Sequence, residues 1–304
     1  MDRIREFYEQ KGYYVCPNLI PHPLIDRLLE QYKGKIVASS QPFFRQSSNR
    51  WSKNSITEHG YVVESFLNVH DYPKFPDFSE LAKQIYCLPA VREVLTQLTG
   101  HPEHNLVQSM LFDLNTKTPA HTDSYYTDSI PYGHLLGGWF ALEDIHEDAG
   151  RFYVVPQSNF VEFELTEEER LSNGPYMKKV REYLDNHLDE IHAPALKKGD
   201  VLFWNSKTVH GSLETCDPKH SRKSLTAHYL PSQYPFGSRY ATSPIPLEYS
   251  NYDGMRCMIA PDSRKNYSLV AKLKTDLQQY VWYRPKLIPA YNLARKAFAK
   301  LSGK

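Results

Sequence analysis

The chain reads as an α+β protein with a mainly β core, and two observations predict it. Amphipathic helical patterns occupy its opening segments, and from about residue 105 short runs rich in β-branched and aromatic residues alternate with turn residues. Several strands set off by turn signals suggest a sandwich or barrel, and helices segregated from strands along the chain suggest α+β. Of the 304 residues, 41% are hydrophobic and 23% charged, ordinary globular usage that excludes a disordered or fibrous chain.

In chain order, residues 2–10 form a short helix that Gly12 is placed to end. Residues 13–16 are a strand, a Pro17–Pro23 turn region follows, and Leu24, Ile25, Leu28, Leu29 and Tyr32 recur at helical spacing. Residues 38–60 are polar and rich in Ser and Asn yet carry Phe43, Phe44 and Trp51. So long a structureless stretch is either disordered or a functional loop. Strands are expected at 106–114, 135–144, 151–155, 200–205 and 224–230, punctuated by Gly137-Gly138, Asp148-Ala149-Gly150, Lys198-Gly199-Asp200 and Asp217-Pro218. One helical insertion interrupts them. Thr166-Glu167-Glu168-Glu169 is a capping-box pattern, and Tyr176, Val180, Tyr183, Leu184 and Leu188 recur at helical spacing. With no repeat and no linker, residues 1–304 are expected to form one domain. It divides into helical support over 1–100, a β core over about 105–235 and a basic extension over about 250–304.

Composition narrows the function. No apolar run approaches the roughly 20 residues of a membrane-spanning helix, and the N-terminus alternates charge with aromatics and lacks an apolar signal region. The formal charge of +1 gives no field that demands nucleic acid. Cys16, Cys87, Cys216 and Cys257 form no CxxC pair, so structural zinc and a disulfide framework are poor readings and a reducing cytoplasm is expected.

The chemistry starts at His121-Thr122-Asp123. On an extended strand residues i and i+2 point to one side, so this pair can offer an imidazole and a carboxylate to one ion. A distant second His would complete the 2-His-1-carboxylate triad of non-haem Fe(II) oxygenases. The spacing alone is weak, because two further His-x-Asp pairs exist. His187-Leu188-Asp189 falls on the helical run, where i and i+2 do not face each other. His146-Glu147-Asp148 sits at an expected acidic hairpin tip, where a solvated turn is the plain reading. Further on, the apolar strand Val201-Leu202-Phe203-Trp204 and the turn Asn205-Ser206-Lys207 lead to His210-Gly211-Ser212. A histidine there can reach a barrel interior, with Gly211 permitting close backbone approach. Arg222 then opens the next strand. An inward-facing arginine needs a partner, and its planar fork suits a carboxylate.

Together with the opening FYEQKGYYVCPNLIPHPLIDRLLE and the segments GGWFALEDI, DAGRFYVVPQSN and KKGDVLFWNS, these motifs resemble the phytanoyl-CoA dioxygenase family of Fe(II)/2-oxoglutarate oxygenases. The resemblance covers most of the first 230 residues. It implies a double-stranded β-helix (jelly roll) flanked by helices. It implies His121, Asp123 and His210 as catalytic iron ligands, Arg222 as the partner of the distal carboxylate of 2-oxoglutarate, and Ser212 as an assisting hydroxyl. Trp139 and Met110 fall where members line the cosubstrate pocket, although plain core roles fit them equally well. Fe(II), 2-oxoglutarate and O2 are the implied cofactor and cosubstrates. The implied reaction couples oxidative decarboxylation to succinate and CO2 with oxidation of a substrate C–H bond. Related halogenating enzymes lack the carboxylate present here as Asp123, so hydroxylation is expected first; desaturation, ring formation and oxidative dealkylation share its starting point.

Arg45, Arg50, Trp51, Tyr125 and Tyr126 occupy segments that would lie over the metal, and they suit a small polar or anionic metabolite better than a bare fatty chain. A secondary metabolite, an amino-acid derivative or a sugar-like compound is therefore expected, with no segment that identifies a CoA handle. From Arg264 to Lys304 there are ten Lys or Arg against one acid, Asp276. Residues 289–301 would form a basic helix, commonly docked with one face solvated, otherwise lying on an anionic membrane surface or capping an oligomer interface. Two other classes compete: a cupin-like metalloenzyme that does not use 2-oxoglutarate, and a non-catalytic binding protein that keeps the fold.

Overall fold

The structure, a computed structural model, describes residues 2–261; the basic segment from Arg264 onward, including the helix expected at 289–301, lies outside them. The chain opens with α1 (Asp2–Lys11), β1 (Tyr13–Cys16) and α2 (His22–Gln31), the last running into a π-helical turn over Tyr32–Val37. Short strands β2 (Phe43–Arg45), β3 (Arg50–Ser52) and β4 (Phe66–Leu67) precede α3 (Pro76–Tyr86) and α4 (Pro89–Thr99). The core strands are β5 (His104–Phe112), β6 (Asp128–Ser129), β7 (Leu136–Ala141) and β8 (Phe152–Val154). After α5 (Asn173–Asp185) come β9 (Val201–Asn205), β10 (His210–Ser212), β11 (Ser224–Pro231), β12 (Phe236–Gly237), β13 (Tyr249–Tyr252) and β14 (Met255–Met258).

The main sheet runs β1-β9-β7-β11-β5-β4-β2-β3. Opposite it, β10 pairs with β8 and β12 with β6, and isolated bridges join His121 to His210 and Val154 to His192. Side chains from both layers meet in the interior, where the Trp139 and Phe152 rings stack with centroids 6.0 Å apart. Two facing antiparallel layers of this order make a double-stranded β-helix. The strand period of two decides which residues go where. On β11, Ser224, Thr226 and His228 turn inward, while Leu225, Ala227 and Tyr229 join Leu111, Leu136, Phe140 and Phe203 in the apolar layer beneath the helices. Against that layer α2, α3 and α4 pack Leu24, Ile25, Leu28, Phe78, Ala82, Ile85, Val91 and Leu95, all buried. Proline at the first position of α3 and α4 has the fixed φ and missing donor that a helix start tolerates.

Several local expectations need correction. Residues 38–60 are not structureless: Phe43 packs edge-on to Phe66 with centroids 5.1 Å apart, and this anchors the β2–β3 hairpin to the sheet. The helical insertion is split. Thr166 and Glu169 do form the reciprocal capping pair, backbone N of Thr166 to Glu169 Oε2 at 2.9 Å and backbone N of Glu169 to Thr166 Oγ1 at 3.2 Å. They cap only the 3₁₀ turn Glu169–Leu171, and α5 begins separately and ends at Asp185, before Leu188. The segment from about 250 opens not as an extension but as the β13–β14 hairpin, whose β14 lies parallel to β5. Among the described residues no helix is long and apolar enough to cross a membrane.

One close approach matters for the site. Gly137 on β7 stands opposite Trp204 on β9, and a Cβ at this glycine would overlap the indole ring. Gly137→Ala is therefore expected to displace Trp204 and to cost roughly 1–3 kcal/mol, the usual overpacking penalty, measured as a lowered midpoint of thermal unfolding.

Candidate metal centre and cosubstrate pocket

Thr122 is extended (φ −111°, ψ 139°), so His121 and Asp123 project to the same side, although a 3₁₀ turn and not a strand begins at Asp123. Thr122 itself points away, its amide and hydroxyl 2.7 and 2.9 Å from the Tyr176 hydroxyl on α5. The loop bearing the pair is tied to β10 by mutual backbone hydrogen bonds of 3.0 Å between His121 and His210. The imidazole Nε2 atoms of His121 and His210 come within 3.6 and 3.5 Å of Asp123 Oδ1, and one ligand atom from each side chain lies within 4.8 Å of the others.

The protonation state suits a metal. Nδ1 of His121 faces the Pro119 carbonyl at 2.8 Å and Nδ1 of His210 faces the Thr208 carbonyl at 2.9 Å. A carbonyl can only accept, so each Nδ1 carries the proton and each Nε2 lone pair points at the common centre. Burial pushes the His210 imidazole down to about 4, partly opposed by Asp123, so it stays neutral. Burial alone would raise the Asp123 carboxyl, but attraction from His210, His228 and His121 holds it well below the usual carboxylate range. Two imidazoles whose Nε2 atoms face an ionised carboxylate are the donor set a divalent ion requires.

Sequence reasoning missed the residues that aim Asp123. Its second oxygen, Oδ2, accepts a 2.8 Å hydrogen bond from Trp204 Nε1 and lies 3.3 Å from His228 Nε2. His228 is in turn held through Nδ1 by Gln108 Oε1 at 2.7 Å. With Oδ2 engaged, Oδ1 is turned toward the imidazole pair. The signal was available: polar Thr226 and His228 alternate with apolar Leu225, Ala227 and Tyr229, which marks an inward-facing polar row.

Beside this trio a cavity of about 680 Å³ opens between the layers, lined by Met110, Trp139, Ser212, Arg222 and Thr226 among others. Arg222 is 2% exposed. Its Nη1 donates to Ser212 Oγ at 2.8 Å and to the Gly150 carbonyl at 3.0 Å, and the guanidinium lies 5.8 Å from the Trp139 ring centre. Arg222 Nε and Thr226 Oγ1 are buried without a hydrogen-bond partner, and among the described residues no carboxylate pairs with this cation. Burial alone pushes the guanidinium down to about 10. A buried cation with idle donors fits an incoming carboxylate.

The substrate residues expected from sequence divide. Tyr126 lines the cavity. Tyr125 does not; it stacks on Tyr176 with centroids 3.8 Å apart. Arg45 is fully buried beneath the hairpin, bonded to Ser52 Oγ at 3.1 Å, Asn54 Oδ1 at 2.7 Å and the Glu64 carbonyl at 3.4 Å, over the Phe66 ring. Arg50 and Trp51 lie on β3 at the sheet edge, Trp51 edge-on to Phe44 at 5.7 Å, and neither lines the cavity. The hairpin contributes its turn instead: Gln46, Ser47 and Asn49. His187 and Asp189 sit beyond the end of α5, not on it, and His187 Nδ1 faces the Tyr183 carbonyl at 2.7 Å.

Comparison with known proteins agrees with this architecture. The family model described as Phytanoyl-CoA dioxygenase (PhyH) matches residues 8–223. The chain belongs to the phytanoyl-CoA dioxygenase family. It is an Fe(II)/2-oxoglutarate-dependent oxygenase of that family. The human peroxisomal phytanoyl-CoA dioxygenase is 25% identical over 235 residues, covering 74% of this chain and 67% of that protein. A phytanoyl-CoA dioxygenase domain-containing protein 1 homolog of Caenorhabditis briggsae is 20% identical over 269 residues, covering 77% and 92%. Among solved structures, the non-heme alpha ketoglutarate dependent carbocyclase SnoK from nogalamycin biosynthesis superposes with a TM-score of 0.59 at 17% identity, covering 82% of this chain and 93% of its own. EctD from S. alaskensis with 2-oxoglutarate and 5-hydroxyectoine gives 0.54 at 18%, covering 81% and 82%.

In this family member, Trp204→Phe deletes the donor to Asp123 Oδ2 while keeping an aromatic ring. It is expected to weaken Mn(II) binding roughly 10–100-fold, the usual cost of losing such an outer contact, as read by titration calorimetry.

Proposed function

We propose that this oxygenase hydroxylates a C–H bond of a small, neutral, polar metabolite, with His121, Asp123 and His210 holding iron and Arg222 with Ser212 holding the distal carboxylate of 2-oxoglutarate. The observation that carries this reading is the convergence in one cavity of a two-imidazole, one-carboxylate trio and a buried arginine that no carboxylate pairs with among the described residues. Ferrous iron with 2-oxoglutarate and O2, when bound, supplies the oxidation: one oxygen atom enters succinate as CO2 leaves, and the other enters the substrate as hydroxyl.

The chain's own part is positioning. Trp204 and His228 fix the Asp123 carboxylate, and the Pro119 and Thr208 carbonyls fix the tautomers of the two histidines. Arg222, Ser212 and Thr226 offer donors to one end of a diacid, with Trp139, Met110 and Phe152 excluding water around its carbon chain. A cupin-like enzyme without this cosubstrate would leave the Arg222 donors idle at the cost of a buried cation.

The substrate's neutrality follows from the remaining lining. Gln46, Ser47, Asn49, Thr118, Thr127 and Asn173 present amides and hydroxyls, and Tyr126 and Met177 add an apolar edge. Among the described lining residues the ionisable groups are Arg222, the trio, His228 and the Tyr126 phenol, so no spare cation awaits a phosphate or carboxylate. This narrows the polar-or-anionic expectation read from Arg45, Arg50, Trp51, Tyr125 and Tyr126 to a neutral polar molecule. We also assign the chain to a reducing compartment, the cytoplasm; all four cysteines are free thiols, including Cys87 and Cys257 with sulfurs 3.6 Å apart.

Asp123→Ala and His210→Ala are each expected to abolish iron-dependent succinate release from 2-oxoglutarate. Arg222→Ala should raise the KM for 2-oxoglutarate by tenfold or more, about the loss of one charge-assisted contact, while iron affinity is retained; unchanged cosubstrate affinity would remove Arg222 from its role. In the same succinate assay, neutral polyols and amides should stimulate turnover and acyl-CoA thioesters should not. Stimulation by an acyl-CoA alone would overturn the proposed substrate class.

A further inference from the structure

The second His-x-Asp pair of the chain, His146-Glu147-Asp148, plays no part in the oxygenase site, yet the fold brings a distant histidine to it. His146 precedes a single 3₁₀ turn, Glu147–Ala149, in the connection between β7 and β8, and its Nδ1 accepts the Asp148 amide at 3.2 Å. The same nitrogen lies 3.7 Å from Asp148 Oδ2. His220, in the connection between β10 and β11, stacks on His146 with ring centroids 3.6 Å apart and planes 7° from parallel. One ligand atom from each of His146, Asp148 and His220 lies within 4.8 Å of the others. Asp217 adds a second carboxylate, its Oδ2 3.8 Å from His220 Nε2.

We propose that His146, Asp148 and His220 form a second metal site, for a late first-row divalent ion of the Zn(II) or Ni(II) class. Two imidazoles and a carboxylate are the donors such ions prefer, whereas Ca(II) and Mg(II) take all-oxygen sets. With these three ligands and a water, or with Asp217 as the fourth, the tetrahedral shell of zinc is complete. The side chains are between 36% and 46% exposed, so an ion reaches them from solvent, and none of them lines the cavity beside the buried trio. That separates the site from catalysis.

Its position assigns it a clamping role. The two connections are already laced together, the Asp148 carbonyl accepting the amides of Cys216 at 2.9 Å and Asp217 at 3.3 Å, and the Arg151 carbonyl accepting that of Leu213 at 2.9 Å. The first connection supplies the Gly150 carbonyl that holds Arg222, and the second runs from His220 directly into Arg222. An ion bridging His146 and Asp148 to His220 cross-links the connection that holds Arg222 to the connection that leads into it.

The test is the stoichiometry of Zn(II) and, separately, Ni(II) binding to the full chain, by calorimetry and by metal analysis after gel filtration. Circular dichroism checks that each variant is folded, and Asp148→Asn serves as a second variant beside His220→Ala. Wild type should bind two equivalents, His220→Ala and Asp148→Asn one each, Asp123→Ala one, and the His220→Ala/Asp123→Ala double variant none. Zn(II) should also raise the thermal midpoint of Asp123→Ala but not that of the double variant. One equivalent in wild type that survives both His220→Ala and Asp148→Asn overturns the proposal, as do two equivalents that neither variant reduces. One equivalent lost with His220→Ala but kept in Asp123→Ala would uphold this site and instead overturn the reading of the buried trio.

Discussion

A carboxylate buried between the two layers of the β core is the constraint around which the rest of this molecule is arranged. Asp123 is almost fully buried, and a buried carboxylate stays ionised only where donors and positive partners surround it. Its two oxygens divide the work. Oδ2 is held from behind by Trp204 and His228, which leaves Oδ1 facing the imidazoles of His121 and His210. The indole reaches that far only because β7 carries Gly137, and His228 is oriented only because Gln108 on the neighbouring strand accepts its other nitrogen. A glycine, a tryptophan, a histidine and a glutamine on four strands thus serve one acidic side chain.

Arg222 poses the opposite problem. It is a cation in an equally dry place, answered by a hydroxyl, a carbonyl and an aromatic face but, among the described residues, no anion. Ionised groups in low dielectric interact strongly, so an unmatched charge becomes a specific demand for a ligand of opposite sign. Between the two charged poles the cavity sets neutral amides and hydroxyls beside apolar Leu67, Phe112 and Met177.

The helices support this arrangement from outside. α2, α3 and α4 cover one face of the main sheet and bury the apolar alternate residues of β5, β7, β9 and β11, which makes the inward face a rigid platform. α5 reaches the site from the other side, where its Tyr176 hydroxyl fixes Thr122 between two of the proposed iron ligands and its Asn173 and Met177 close the mouth. The β2–β3 hairpin completes the rim.

Periodicity and spacing were enough to read an α+β chain with a mainly β core, and the pattern around residues 121, 123, 210 and 222 was enough to suggest a metal and a carboxylate, the diacid coming only from the family resemblance. These features are legible because each rests on local chemistry: a period of two, a turn residue, a His-x-Asp pair on extended backbone. What tertiary structure alone decided is which charged and aromatic groups meet. Arg45 looked like a substrate contact and is a buried brace of its own hairpin; Tyr125 stacks inward while its neighbour Tyr126 faces the cavity; Trp204 read as part of an apolar strand and, with His228, holds the carboxylate. A second His-x-Asp pair finds its distant histidine as the first does, which no spacing announces. The physical reason is common to all of them. Strand register and loop path set the distance between residues far apart in sequence, and side-chain charge interactions act over only a few ångströms.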